Sequence, residues 1–254
     1  MKGIKKVGSK KPLFLLVREE LIKLIDRWDV SNPLPSESNL SKMIGVSRST
    51  IREAISGLEN AGILYKHHGV GTFVHKNKSL IITSLENLRG VQNIIKSLGK
   101  EMSLKEQKTE IVKADNDISE SLQIPKGEKI FKITQVYLAD KIPILIGISY
   151  IHPSITEDDF ERFSKIIIDG SKRGKSLFEI LEKNTNKAIQ YAIARIEAVI
   201  VGTEKAEILE IDESQPLVYL YETHYDYKNF PLIVSEDYID ARRFNLSLLR
   251  RRKF

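Results

Sequence analysis

Arg48 and Arg52 stand one helical turn apart in "VSRSTIREAISGLENAGIL" (Val46 to Leu64). A guanidinium is permanently charged and presents a planar fork of donors. Two on one helix face can bridge O6 and N7 of guanine or clamp phosphates, and the sequence leaves both open. Close behind lies "HHGVG" (His67 to Gly71), basic and punctuated by glycine. Its glycines permit a tight turn and a close backbone approach to another molecule. His67 and His68 are not read as metal ligands: adjacent side chains on a strand point apart, and no acid or cysteine sits at ligand spacing nearby. A phosphate or minor-groove contact is the better use of a polar tip there.

These side chains need elements to hold them. After Pro12, apolar residues at Leu13, Leu16, Val17, Leu21, Leu24, Ile25 and Trp28 recur at helical spacing. This pattern predicts a helix over about 12 to 28 with that face in the core. "NPLPSE" stops it, and Ser36 can cap a short second helix whose Leu40, Met43 and Ile44 point inward before Gly45 ends it. Ser47 opens a third, in which Ile51, Ala54, Ile55 and Leu58 form the apolar stripe and Arg48, Ser49, Arg52, Glu53 and Ser56 the wet face. Helix, glycine turn and helix, followed by the strand-like runs "ILYK" and "TFV", make a helix-turn-helix with a wing, whose third helix presents its N-terminal end to a major groove.

Composition agrees with a polyanion partner for this part alone. Residues 1–78 hold 14 Lys and Arg against 7 Asp and Glu, net +7, in a chain of formal charge +6, so the rest carries −1. Such a field is local, screened within roughly 10 Å at moderate salt. The chain has 254 residues and no cysteine, which excludes disulfides and thiolate metal sites. No stretch approaches the roughly 18 apolar residues of a membrane span, and the lysine-rich start lacks a signal-peptide core. A cytoplasmic protein of two domains is expected, 1–78 and 79–254, with "HKNKSL" (His75 to Leu80) as linker.

Pro-Ser-Glu, Gly-Val-Ser-Arg-x-Thr-Ile-Arg-Glu-Ala, Leu-Glu-x-x-Gly-Ile and Gly-x-Gly-Thr-Phe-Val, over about 12 to 74, resemble the winged-helix domain of the GntR family of bacterial transcription regulators. The resemblance implies operator contacts from Ser36, Glu37, Ser47, Arg48, Ser49, Thr50, Arg52, His68, Gly69, Gly71 and Thr72. One departure is Ser38, where relatives often carry arginine.

The second part contains an echo. "VYLADKIPILIGISYI" (Val136 to Ile151) and "HYDYKNFPLIVSEDYI" (His224 to Ile239) superpose at an offset of 88, and the short helices "DISESLQI" and "EKAEILEI" precede them at an offset of 87. Helix, strand, turn, strand, used twice, predicts one antiparallel sheet with helices on one side and pseudo-twofold symmetry, an α+β arrangement with room for a pocket between the halves. Leu217, Tyr219, Tyr221, Thr223, Tyr225 and Tyr227 share one strand face, a stripe read as structural, and Val218, Leu220, Glu222, His224 and Asp226 share the other. No nucleophile elbow, phosphate loop or metal box is present, so neither catalysis nor a cofactor is expected.

"SLFEILEKN", "ARIEAVIV", "LEIDESQPLVYLYETHYD" and "SEDYIDARRF" resemble the effector domain of the HutC subfamily, called UTRA, built on a chorismate-lyase-like fold. Aligned on the resemblance, Gln135, Tyr137, Gly147, Ile233 and Ile239 occupy positions that sugar-phosphate sensors often fill with Arg, Arg, Glu, Glu and Tyr. Ser84 and Ser176 keep the hydroxyls of ligand contacts, and Phe178 replaces a tyrosine. These eight are the expected effector positions. A buried phosphate needs cationic or amide donors. The expected effector is therefore neutral or partly apolar and not a sugar phosphate, or the pocket is degenerate. The resemblance as a whole implies a homodimeric, effector-controlled repressor on double-stranded DNA; a dimerisation-only second domain and a lyase-like enzyme with a DNA tether are the rivals. The terminal "RRRKF" is read as a solvated tail.

Overall fold

A computed structural model describes residues 13–60, 63–67, 69–75, 85, 88–156, 159–244 and 246. The chain divides into two compact units between Asn87 and Leu88. The expected boundary at 78/79 and the terminal "RRRKF" lie outside the described residues.

The first unit is three helices and a hairpin: α1 (Leu13–Asp26), α2 (Glu37–Ile44), α3 (Arg48–Asn60), β1 (Leu64–His67) and β2 (Gly71–Val74). The Ser36 hydroxyl accepts from the Asn39 amide at 3.2 Å and caps α2, and Gly45 ends it at φ 76°. Ser47 Oγ accepts from the Thr50 amide at 3.2 Å and opens α3. Ile51, Ala54, Ile55 and Leu58 are all buried against Leu21, Ile25 and Leu40. Each such aliphatic side chain contributes about 1.5–3 kcal/mol on burial, which fixes the rotation of α3 and hence which face stays wet. Three residues expected inside are not: Leu13 is 55%, Leu16 44% and Met43 62% exposed. Burial in α1 begins at Val17, one turn in, and Met43 lies at the edge of the arc that Leu40 and Ile44 share.

The second unit runs α4 (Val91–Ser97), β3 (Met102–Lys113), α5 (Asn116–Leu122), β4 (Lys129–Ala139), β5 (Ile142–Ile151), α6 (Pro153–Thr156), α7 (Phe160–Lys172), α8 (Leu177–Asn184), β6 (Tyr191–Ile200), α9 (Thr203–Leu209), β7 (Pro216–Tyr225) and β8 (Pro231–Ile239). Its strands form one antiparallel sheet in the order β3-β4-β5-β8-β7-β6. That order reads the same from either edge once the two halves are equated, as the echo requires. Both repeat helices end on a non-glycine residue in the left-handed region, Gln123 at φ 57° and Glu210 at φ 55°. The halves meet where β5 pairs with β8, with Ile148 opposite Glu236.

Helices cover both faces, not one as expected. The repeat helices α5 and α9 share one face, where Ile118 and Leu122 meet Ile130 and Val234, and Ala206 and Leu209 meet Val136 and Ile146. The opposite face carries α7 and α8, with Phe163, Ile167, Ile180 and Leu181 on Phe131, Ile133, Ile151 and Ile233. These helices lie between the two repeats in sequence and have no copy in the echo, so the repeat could not reveal them. The tyrosine stripe faces α5 and α9, and Tyr150 and Tyr219 donate to the Glu236 carboxylate at 2.9 and 2.7 Å. Tyr227 is not part of it, lying in the turn after β7 and 73% exposed. No helix among the described residues is long and apolar enough to cross a membrane.

Candidate functional site

The wet face of α3 carries Arg48, Ser49 and Arg52, all exposed. Arg52 donates from Nε and Nη2 to Glu37 Oε2 at 3.1 and 2.9 Å. The Arg52 hydrogen bond holds the Glu37 carboxyl below its ordinary range despite the opposing cost of burial. The pair ties the first turn of α2 to α3 and fixes the direction of one guanidinium, whose side chain is still 65% exposed. Ser47 Oγ lies 2.8 Å from both Ser49 Oγ and Thr50 Oγ1, a hydroxyl cluster at the same helix start. Ser36, Glu37, Ser47, Arg48, Ser49, Thr50 and Arg52 thus gather around two neighbouring helix N-termini, whose free amides favour an anion.

The wing turn closes with the Val70 amide donating to the His67 carbonyl at 3.0 Å, and Gly69 sits in it at φ 76°. His68 lies outside the described residues. Gly71 has an internal reason to be glycine: at φ 147° it is strained for any side chain, and a Cβ there would stand 3.0 Å from Pro33 Cβ. The neighbouring Thr72 carbonyl accepts from the Leu34 amide at 2.7 Å, which binds the wing to the loop before α2. Gly71→Ala is therefore expected to destabilise the first unit by about 1–3 kcal/mol through backbone strain. Scanning calorimetry should show that unit melting earlier, with the second unit unmoved.

In the second unit, register places Gln135, Tyr137, Gly147, Ile233 and Ile239 on the face covered by α7 and α8. Tyr137 donates to Gln135 Oε1 at 2.6 Å, and Gln135 Nε2 reaches Ser171 Oγ at 3.3 Å. A Cβ on Gly147 would stand 2.9 Å from Asp237 Oδ1 and 3.2 Å from the Tyr137 ring. Phe178 meets the His224 ring edge-on at 5.2 Å. Three positions sit apart from this group in character. Ser176 is 1% exposed and its hydroxyl serves the capping box of α8 with Glu179, while Ile233 and Ile239, at 0% and 2%, are core. Ser84 lies outside the described residues.

Sequence reasoning missed the acids of this face. Register puts Asp237 opposite Gly147 and Leu220, and Glu222 opposite Ser235, which faces Ser149. Burial pushes Glu222 up to about 7. Burial, and then the Glu222 and Glu236 charges, hold Asp237 well above the carboxylate range. His224 is 1% exposed and burial pulls it down to about 4; its Nε2 lies 3.1 Å from Ser235 Oγ, and its Nδ1 has no partner. The available signal was a Glu and a His two residues apart in an otherwise apolar strand.

A cleft of about 510 Å³ lies elsewhere, lined by Ser154, Thr156, Asp159, Arg162, Asn184 and Lys187 among others, and by none of the expected effector residues. Several of its polar groups are already used locally. Thr156 donates to the Pro153 carbonyl at 3.0 Å, Asn184 to Ile180 at 2.7 Å, and Asp159 caps α7. We read it as helix-end packing. Among the described residues no three His, Asp or Glu side chains are arranged to hold a metal ion.

Comparison with known proteins follows the same division. The family described as "UTRA domain" matches residues 97–245, and "Bacterial regulatory proteins, gntR family" matches 16–74. The chain is 29% identical to "HTH-type transcriptional repressor NagR" of Bacillus subtilis, covering 84% of each. It is 28% identical to the Escherichia coli K12 protein described as "Probable fructoselysine utilization operon transcriptional repressor", covering 94% of this chain and 95% of that one. The crystal structure of YydK from Bacillus subtilis superposes with a TM-score of 0.70 at 19% identity, over 94% of this chain and 99% of that one, a likeness of fold.

Proposed function

Because the chain belongs to the GntR family of bacterial transcription regulators, in the HutC subfamily that pairs a helix-turn-helix with a UTRA domain, we propose that it is a homodimeric repressor released from its operator by a small molecule. It is a DNA-binding transcription regulator and not an enzyme. The observation that carries the DNA-binding reading is the exposed Arg48 and Arg52 pair on the wet face of α3, with Arg52 braced by Glu37. Arg48, Arg52 and the hydroxyl cluster read the major groove, and Gly69 and Thr72 bring the wing to the backbone, in the cytoplasm where the chromosome lies. Full-length protein should shift a duplex from upstream of its own coding sequence, with affinity falling steeply as salt rises. Binding no tighter than to an unrelated duplex overturns the proposal.

A palindromic operator needs two reading heads, and the edge strand β6 suits a second copy of this chain. β6 pairs with β7 alone among the described strands, and Ile193, Ile196 and Ile200 are 62%, 55% and 62% exposed. The other edge, β3, is blunted by a bulge between Leu104 and Glu106 and by a row of Lys and Glu. Two β6 strands paired antiparallel about Ile196 would set Arg195 opposite Glu197 of the partner subunit, twice. Ile196→Lys puts two ammonium groups at that centre, so light scattering should report a monomer where the wild type is a dimer. A dimeric Ile196→Lys variant would move the interface elsewhere. Effector control then requires the ligand to prefer the dimer state whose heads do not match the half-site spacing.

A further inference from the structure

The face of the second unit under α7 and α8 is rich in acceptors and poor in charge partners. Among the described residues Glu222 and Asp237 form no ion pair with any Lys or Arg, and the nearest basic nitrogen to either is His224 Nε2, 3.9 Å from Glu222. Tyr137, which could donate to Asp237, spends its hydroxyl on Gln135 at 2.6 Å, and the buried Gln92 side chain also reaches that hydroxyl. Gly147 lets Asp237 and Tyr137 close in over its Cα, where a Cβ would stand 2.9 Å from Asp237 Oδ1 and 3.2 Å from the Tyr137 ring, and both Asp237 and Glu222 keep part of their surface accessible.

A second, independent observation is His224. It is 1% exposed, lies on the same face two residues from Glu222, and keeps Nδ1 without a partner. Buried polar atoms are nearly always satisfied, and an orphan next to the Glu222 carboxyl, on the sheet face that also carries Asp237, marks an absent occupant better than a structural role. The occupant must bring donors and positive charge. An anion would meet two acids, and among the described residues neither acid has a Lys or Arg within ion-pair distance to offset the repulsion. A metal ion does not fit, as no three of these side chains converge on one point. Phe178 and Tyr137 add aromatic surface, which suits an organic cation.

We propose that the effector is an organic cation whose ammonium or guanidinium nitrogen is held by Asp237 and Glu222, with His224 Nδ1 and Gln135 binding its polar remainder. This rests on reading the second unit as an effector domain and goes further by fixing the ligand's charge. It also makes a sugar phosphate without an amine the wrong chemistry for this chain.

The test is the melting temperature of the full chain with two probe series: diamines, lysine, arginine and agmatine on one side, and glucose 6-phosphate, fructose 6-phosphate and phosphate on the other. At least one cation should raise it by several degrees and release the protein from its upstream duplex, and no anion should. Asp237→Asn keeps the shape and removes the charge, so the variant should fold with an unliganded melting temperature no lower than wild type and lose the response. A response retained in both Asp237→Asn and Glu222→Gln overturns the assignment of these acids. A shift with the phosphates and none with the cations overturns the cation and leaves the effector reading standing. No shift and no release with either series overturns both.

Discussion

Arg52→Ala is expected to lower operator affinity by roughly 10²- to 10⁴-fold for a dimer on two half-sites, since a lost bidentate base contact costs about 1–3 kcal/mol at each. The melting temperature should stay essentially where it was. The guanidinium is exposed, and its partner Glu37 remains partly exposed to solvent when left alone. A fluorescence-anisotropy titration on the upstream duplex and a thermal melt of the same variant separate the two effects. If binding is unchanged, Arg52 is outside the DNA site; if the melting temperature collapses, the wet face of α3 has been misassigned. The salt dependence adds a finer reading: a phosphate-clamping role lowers the slope by about one per lost contact, whereas a base-reading role relaxes sequence preference instead.

Glu222→Gln is expected to stabilise the second unit at pH 8 and to do little at pH 5. Burial raises the Glu222 carboxyl from its ordinary 4.5 to about 7. Between those values the folded chain keeps a proton that the unfolded chain has released. Its contribution is therefore fully present below about pH 4.5 and is lost as pH rises through about 7. The full loss is about 2–4 kcal/mol, and the amide removes it without changing the shape. His224 has the opposite slope: burial lowers it to about 4, so stability is lost as pH falls from about 6.5 towards 4. Comparing wild type with Glu222→Gln by denaturant titration at pH 5 and pH 8 cancels the histidine and isolates the acid. Equal stability gains at both values would mean that Glu222 is solvated and carries no buried charge. A chain that keeps such an acid sacrifices stability at a site, the usual mark of binding over packing.

The first unit was legible in the sequence almost residue by residue. Ile51, Ala54, Ile55 and Leu58 repeat at the helical period, and because one apolar stripe can be buried only one way, the same pattern sets where Arg48 and Arg52 point. Caps such as Ser36 and Ser47 act over three residues, a range a sequence displays directly. The strand repeat was legible for a similar reason: identical residues at a constant offset imply equal geometry without any knowledge of contacts.

What the sequence did not determine depends on pairs far apart in the chain. That Glu37 braces Arg52 across 15 residues, that Pro33 leaves no room for a side chain at Gly71, and that α7 and α8 roof one sheet face all follow from packing. In the sequence Glu222 and His224 were two polar residues on a strand face shared with Val218 and Leu220, and nothing set Asp237 apart. Only the sheet register, which sets Asp237 opposite Gly147 and Glu222 opposite Ser235 under a helical cover, buries His224, leaves the two acids only partly in water and gives them no Lys or Arg partner among the described residues. Local periodicity thus fixed which side of each element is apolar, while the dielectric around a given acid was decided by the tertiary structure, because burial is a property of what lies above a residue and not of its neighbours in the chain.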